Sequence, residues 1–463
     1  MKKIFLLPLL ALLLGLVACE PSNIPNSRID TKIQDALVKA GLKVVNNQIV
    51  LDAAAKGLTT LDLSNTQVAP EALAELSVLP NLTEIKLASN GYGPTFDFSL
   101  LPKNITAVDL TNNPIYLCKG LVDVKVEENG DETVTTLRNF TKLALPYGVR
   151  GDMKNLVRFF VHNKDAVKGG KLQVQMQDKN NQLQPYTTLR EVPDKAFRAT
   201  LKEMFPSIFN GEQIDLEKRL IGEETLKAME WDSGTLGVSD FEGVQYVVHN
   251  PSWKGTSLGI VGKGELPYLQ LPNSLFSFEL VGSEDGVIVC EGVDFSESPN
   301  LTTVGFKNTT GIRTLDLRNS SFDKVEPFHQ LSYFPDMTVF FHLENVPTLE
   351  EFLLPDKPSL RFFSIVLQNL PKLRSIDLSK VALVGERLII KDIPSECKLV
   401  YPELTINPQE VVEKAGSNIN AKEGASFTVD KAVNDRPETQ AFIKKYSVPN
   451  NSKYPYIKAR IEQ

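Results

Sequence analysis

Apolar residues at the first, fourth and sixth positions of short segments recur along this chain at a nearly fixed interval. LTTLDLSN starts at Leu58, LTEIKLASN at Leu82 and ITAVDLTNN at Ile105, steps of 24 and 23 residues. Each fits L-x-x-L-x-L-x-x-N within one position. The alternation predicts a short strand with the apolar side chains turned inward, followed by an Asn that satisfies loop backbone groups away from water. The pattern returns as LTTVGFKN (Leu301), IRTLDLRNS (Ile312), MTVFFHLEN (Met337), LEEFLLPD (Leu349), LRFFSIVLQN (Leu360) and LRSIDLSK (Leu373). From Met337 the starts lie 12, 11 and 13 residues apart, which predicts two apolar rows per coil of about 23 residues. Met337 and Leu360 stack in one row, Leu349 and Leu373 in the other. Proline stands two residues ahead of the apolar start at Pro80, Pro299, Pro335, Pro347, Pro358 and Pro371. Its fixed φ and missing N–H favour an extended lead into a strand and mark a corner.

The apolar spacing, the Asn placement and the period together resemble the leucine-rich repeat. That resemblance implies an α/β solenoid, with parallel strands stacked coil on coil. A coarser duplication predicts two tandem modules, each opened by a helical cap. KIQDALVKAGL with NQIVLD aligns with AFRATLKEMF and EQIDLE at an offset of about 165, pairing Ile33 with Phe197, Leu37 with Leu201, Ile49 with Ile214 and Leu51 with Leu216. LTTLDLSN then aligns with LKAMEWDSG (Leu226, Met229, Trp231). The expected division is a first module over 31–192, a second over 193–406 and, over 407–463, a polar tail or terminal cap. Between Lys119 and Gln184 the period is lost, and NFTKLALP and NLVRFFVHN read as strands. Related repeat caps often carry a calcium-like loop, but NNQIVLD and FNGEQIDLE have too few alternating carboxylates, so no metal is expected.

The first residues change the setting. Lys2 and Lys3, an apolar run and Ala18-Cys19 follow the order of a secretory signal over 1–18. The run is about 14 residues against the ~20 that span a bilayer. LVAC at 16–19 resembles the lipobox of bacterial lipoproteins, which implies a lipidated Cys19 and a tether over 19–30. Several acyl chains anchor stably where one does not. Glu20 after the Cys, where some bacteria use Asp for inner-membrane retention, favours the outer membrane. Formal charge is −7, about −9 without Lys2 and Lys3, and no basic stretch offers a nucleic-acid footprint. Cys118, Cys290 and Cys397 remain, far apart and odd in number, which argues against a disulfide framework and for buried thiols.

Candidate chemistry is thin. GTSLG at 255–259 matches the nucleophile elbow with His329 and His342 downstream, but IVGKGELP follows where a helix is needed. Gly262-Lys263 lacks the other residues of a phosphate loop. The four histidines, His162, His249, His329 and His342, show no metal-ligand spacing. The expectation is therefore a binding protein without catalytic residues, cofactor or metal. Side chains between the apolar positions should share one surface: Asp62, Lys86 and Asp109 in the first module, and Lys307, Arg313, Asp316, Arg318, Glu350, Glu351, Arg361, Phe362, Arg374 and Asp377 in the second. Arg and exposed aromatics are favoured at interface hot spots, so Arg313, Arg318, Arg361, Phe362 and Arg374 are the expected ligand contacts. As a whole the chain resembles bacterial leucine-rich-repeat surface proteins of the internalin and BspA-like kinds, on a lipoprotein anchor. The resemblance implies a surface-exposed protein binding a protein or extracellular matrix ligand. A glycan-binding lipoprotein of a nutrient-uptake system is the second reading, an envelope scaffold the third.

Overall fold

The computed structural model describes residues 29–126, 132–222, 228–284, 286–320, 322, 338–414, 423–449 and 452–462. Cys19, with the expected signal and most of the tether, lies outside the described residues, as do Leu226, His329, Pro335 and Met337. The chain is mixed α/β with its strands predominantly parallel. No helix among the described residues is long and apolar enough to cross a membrane.

The chain opens twice in the same way. Asp30 caps the helix Thr31–Lys39 by accepting from the Lys32 N–H, and Ile33, Ala36 and Leu37 turn inward at helical spacing. Asp194 caps Lys195–Met204 by accepting from the Ala196 and Phe197 N–H groups, with Phe197 and Leu201 inward. An antiparallel hairpin follows each helix, Val44–Val45 with Gln48–Ile49, then Phe209–Asn210 with Gln213–Asp215. A parallel-paired strand comes next, Thr60–Asp62 and Ala228–Asp232 respectively. The copies diverge at two aligned pairs: Ile49 is half-buried and Leu51 37% exposed, whereas Ile214 and Leu216 are buried.

The first sheet runs in order through Thr60–Asp62, Glu84–Lys86, Ala107–Asp109, Lys142–Leu145 and Gln173–Gln177, all parallel, with Leu183–Pro185 antiparallel at its edge. Leu61, Ile85, Val108, Leu143 and Val174 stand in register and are buried. The Asn residues that end two of these segments do the work the pattern predicts. Asn90 Oδ1 accepts from the Thr66 and Gln67 N–H groups, and its Nδ2 donates to the Leu63 and Leu87 carbonyls. Asn113 Oδ1 accepts from the N–H groups of Asn90 and Tyr92, and its Nδ2 donates to the Leu87 and Leu110 carbonyls. Each amide thus fastens one segment to the next inside the core.

One expected strand is a helix. NLVRFFVHN lies in a π-helical turn, Met153–Val157, running into the α-helix Arg158–His162. Asp152 caps the turn through the Asn155 N–H; Leu156 and Val157 are buried three and four residues after Met153, and Phe159 three after Leu156. Leu156 and Phe159 pack in the first core while Met153 and Val157 pack in the second. This segment therefore joins the two halves across the boundary expected at 192/193.

The second sheet has nine strands, all parallel: Ala228–Asp232, Ser257–Gly262, Ser277–Gly282, Thr303–Lys307, Thr338–Glu344, Leu360–Gln368, Val381–Lys391, Ala425–Asp430 and Ile457–Glu462. A buried ladder crosses it through Trp231, Ile260, Leu280, Phe306, Leu343, Leu367, Ile390 and Val429. Another row of short strands pairs Thr314–Asp316 with Glu351–Leu353 and Ser375–Asp377 with Lys398–Val400. Leu349 and Leu373 are buried ahead of two of them, apart from the row that contains Leu360. Residues beyond 407 do not form a loose tail where they are described. Two of their segments extend the sheet, and Phe442 of the helix Pro437–Tyr446 stacks on Tyr401 at 4.5 Å and packs edge-on to Phe427.

Candidate functional site

The residues expected to share one surface separate into three groups. Arg313, Glu350, Arg374 and Lys398 form one line, because the backbone bonds run from Glu350 to Arg313, from Arg374 to Glu350 and from Lys398 to Arg374. Arg313 and Arg374 are 79% and 74% exposed, and both reach the same Glu350 carboxylate, Arg313 at 3.7 Å and Arg374 in a direct hydrogen bond. Arg318 lies in the turn after Thr314–Asp316, at the other end of that strand from Arg313, and grips Asp316 through Nε at 2.9 Å and Nη2 at 2.6 Å. The Arg318 side chain, by hydrogen bonding, holds the Asp316 carboxyl below its ordinary range.

Arg361 and Phe362 belong to the nine-stranded sheet, away from that row. Phe362 is not exposed. It is fully buried, 5.3 Å from the Phe322 ring and 6.1 Å from Phe341. Leu360 and Phe362 alternate inward, and an irregularity in register between Phe362 and Ser364 then turns Ile365 and Leu367 inward after it. The L-x-x-L-x-L template instead takes Phe363 as the inward residue after Leu360, and so it misplaces the aromatic beside it. Arg361 is half-buried. In the first half Asp62, Lys86 and Asp109 do pair across successive strands. Ser257 of the GTSLG match opens a strand in place of the strand-to-helix turn an elbow needs.

A second polar concentration lies where the halves meet, and no sequence spacing pointed to it. The buried Arg150 donates through Nε and Nη2 to both oxygens of buried Glu242, at 2.8 to 3.1 Å, and through Nη2 to Glu291 at 3.1 Å. Burial alone would raise the Glu242 carboxyl, but the Arg150 charge outweighs it and holds Glu242 below its ordinary range. The Tyr246 hydroxyl and Gln245 Nε2 also donate to Glu242. The Tyr147 ring lies 4.2 Å from the Arg150 guanidinium, a cation–π contact. Tyr116 of the first half stacks on Tyr268 of the second at 4.2 Å with the rings 5° from parallel.

Two titratable groups are buried beside this pair. His249 contacts the Gly151 carbonyl through Nδ1 at 2.8 Å and accepts from the Gln270 N–H at Nε2, also 2.8 Å. That arrangement requires the neutral ring, protonated on Nδ1. Burial pushes His249 down to about 4. Asp152 accepts from the Cys118 and Asn155 N–H groups, and burial pushes it up to about 6. Cys118, Cys290 and Cys397 are buried and unpaired, their thiols raised by burial.

The joint opens to solvent in a notch of about 190 Å³ lined by Asn112, Tyr116, Tyr147, Arg150, Asn181 and Glu291, among others. Gln177, itself buried, fixes its rim by accepting from the Asn112 N–H and donating to Asn112 Oδ1 and the Asn181 carbonyl. These groups come from segments tens of residues apart, so only the fold brings them together. Comparison with protein-family models, with curated proteins and with solved structures finds no match for this chain.

Proposed function

We propose that this protein is a lipid-anchored leucine-rich-repeat solenoid at the outer face of the bacterial outer membrane, and that it binds a protein ligand through the row of short strands carrying Arg313, Arg318 and Arg374. The observation that carries the reading is the sharing of one carboxylate, Glu350, by two highly exposed arginines in line with exposed Lys398. One carboxylate cannot saturate two guanidinium forks, so donor capacity is left for acidic groups of a partner. In a chain of net charge −7 such a cationic line is a local exception that selects its partner by charge. The solenoid reading is supported by the near-regular period, the parallel pairing of successive strands and the Asn90 and Asn113 bridges. Arg361 and Phe362, on the nine-stranded sheet away from this row, have no part in the reading.

The test is affinity capture of host extracellular and matrix proteins on the intact chain, in parallel with Arg313→Ala/Arg318→Ala/Arg374→Ala. The reading expects a protein retained by the parent and lost from the variant. Equal retention by both would move the site elsewhere.

A further inference from the structure

We propose that the notch between the two halves is a subsite for one residue of a neutral saccharide, separate from the arginine row and independent of it. Its chemistry is mixed in the way a sugar ring requires. Hydroxyl groups both donate and accept, and the notch offers both functions. Among the described residues nothing pairs with the Asn112 Nδ2 hydrogens or with the Asn181 side-chain amide, whereas the carboxylate of Glu291 accepts. The half-buried Tyr116 and Tyr147 add aromatic surface for the apolar face of a sugar ring.

Charge points to a neutral ligand. The guanidinium of Arg150 is held by Glu242 along its Nε–Nη2 edge and by Glu291 at Nη2, so an incoming anion would face two carboxylates already in place. The site is also built in advance. Gln177 ties the loops bearing Asn112 and Asn181, Arg150 holds Tyr147, and Tyr268 backs Tyr116, so little ordering remains to be done on binding. At about 190 Å³ the notch is smaller than the ~300 Å³ at which pockets for whole small ligands begin, which suits one ring of a longer chain.

The test uses the full chain on an array of defined oligosaccharides with neutral termini (hexose, deoxyhexose, N-acetylhexosamine) and acidic ones (sialic acid, uronic acid, sulfate). Asn181→Gly removes the free amide and keeps the backbone, because Asn181 has φ 61°. Tyr147→Ala removes the ring. The expected result is binding to at least one neutral glycan, weakened about tenfold by Asn181→Gly and further by Tyr147→Ala, with unfolding temperatures close to the parent's. Arg313→Ala/Arg318→Ala/Arg374→Ala should bind that glycan as the parent does. Binding to acidic glycans alone, no glycan binding, or equal binding by the parent and both notch variants would overturn the proposal.

Discussion

At the scale of the residue, the strongest determinants are polar side chains with no water to turn to. Asn90 serves two donors and two acceptors in neighbouring segments. Asn90→Ala strands all four, and equilibrium urea unfolding should report a loss of about 2–4 kcal/mol. His249 and Asp152 act in opposite senses with pH. The His249 value is depressed in the folded protein, so its contribution is present above pH 6.5 and lost as pH falls through about 4. The Asp152 value is raised, so its contribution is present below pH 3.8 and lost as pH rises through about 6. Between about pH 7 and about pH 4, the stability deficit of His249→Gln should therefore shrink, and that of Asp152→Asn should grow, each by on the order of 3 kcal/mol. Unfolding of both variants across that range checks the signs. The Asn bridges were legible because the repeat fixes where the residue falls relative to the strand. Nothing in the spacing marked His249 or Asp152, whose surroundings are assembled from distant segments.

At the scale of the element, apolar spacing predicted the strands well where they are short and regular. It failed where a second device intervened. The register changes just after Phe362, so a template fitted to Leu360, Phe363 and Ile365 sent that ring outward, and a capping carboxylate with spacing of three and four made a helix of NLVRFFVHN. Both are readable afterwards, but β-branched and aromatic content alone favoured strands. Phe362→Ala should cost about 3–5 kcal/mol through the cavity it leaves, whereas Arg374→Ala should stay within about 0.5 kcal/mol; calorimetric melting of the pair tests the reassigned facing. The joint between the halves makes a parallel case. Arg150→Ala leaves the Glu242 carboxylate buried without its partner, and chemical denaturation should show a loss of about 3–5 kcal/mol.

At the scale of the molecule, the two openings, each a capped helix, a hairpin and a first strand, were visible as a duplication at an offset of about 165. The extension of the large sheet by Ala425–Asp430 and Ile457–Glu462 was not, because those segments lie outside the period and between polar stretches. If Cys19 carries the anchor, Cys19→Ala should abolish acyl-label incorporation and leave the protein released or as unprocessed precursor. Mature, membrane-bound protein in that variant would refute the anchor. The central claim is that exposed arginines on the row of short strands hold a protein ligand, and it is tested most directly by measuring Kd for the captured protein at low and moderate ionic strength. The account predicts that binding by the parent weakens with salt, and that Arg313→Ala/Arg318→Ala/Arg374→Ala binds at least about tenfold more weakly, with a flatter salt response and an unchanged melting temperature. A variant that binds as tightly as the parent, with the same salt dependence, would contradict it.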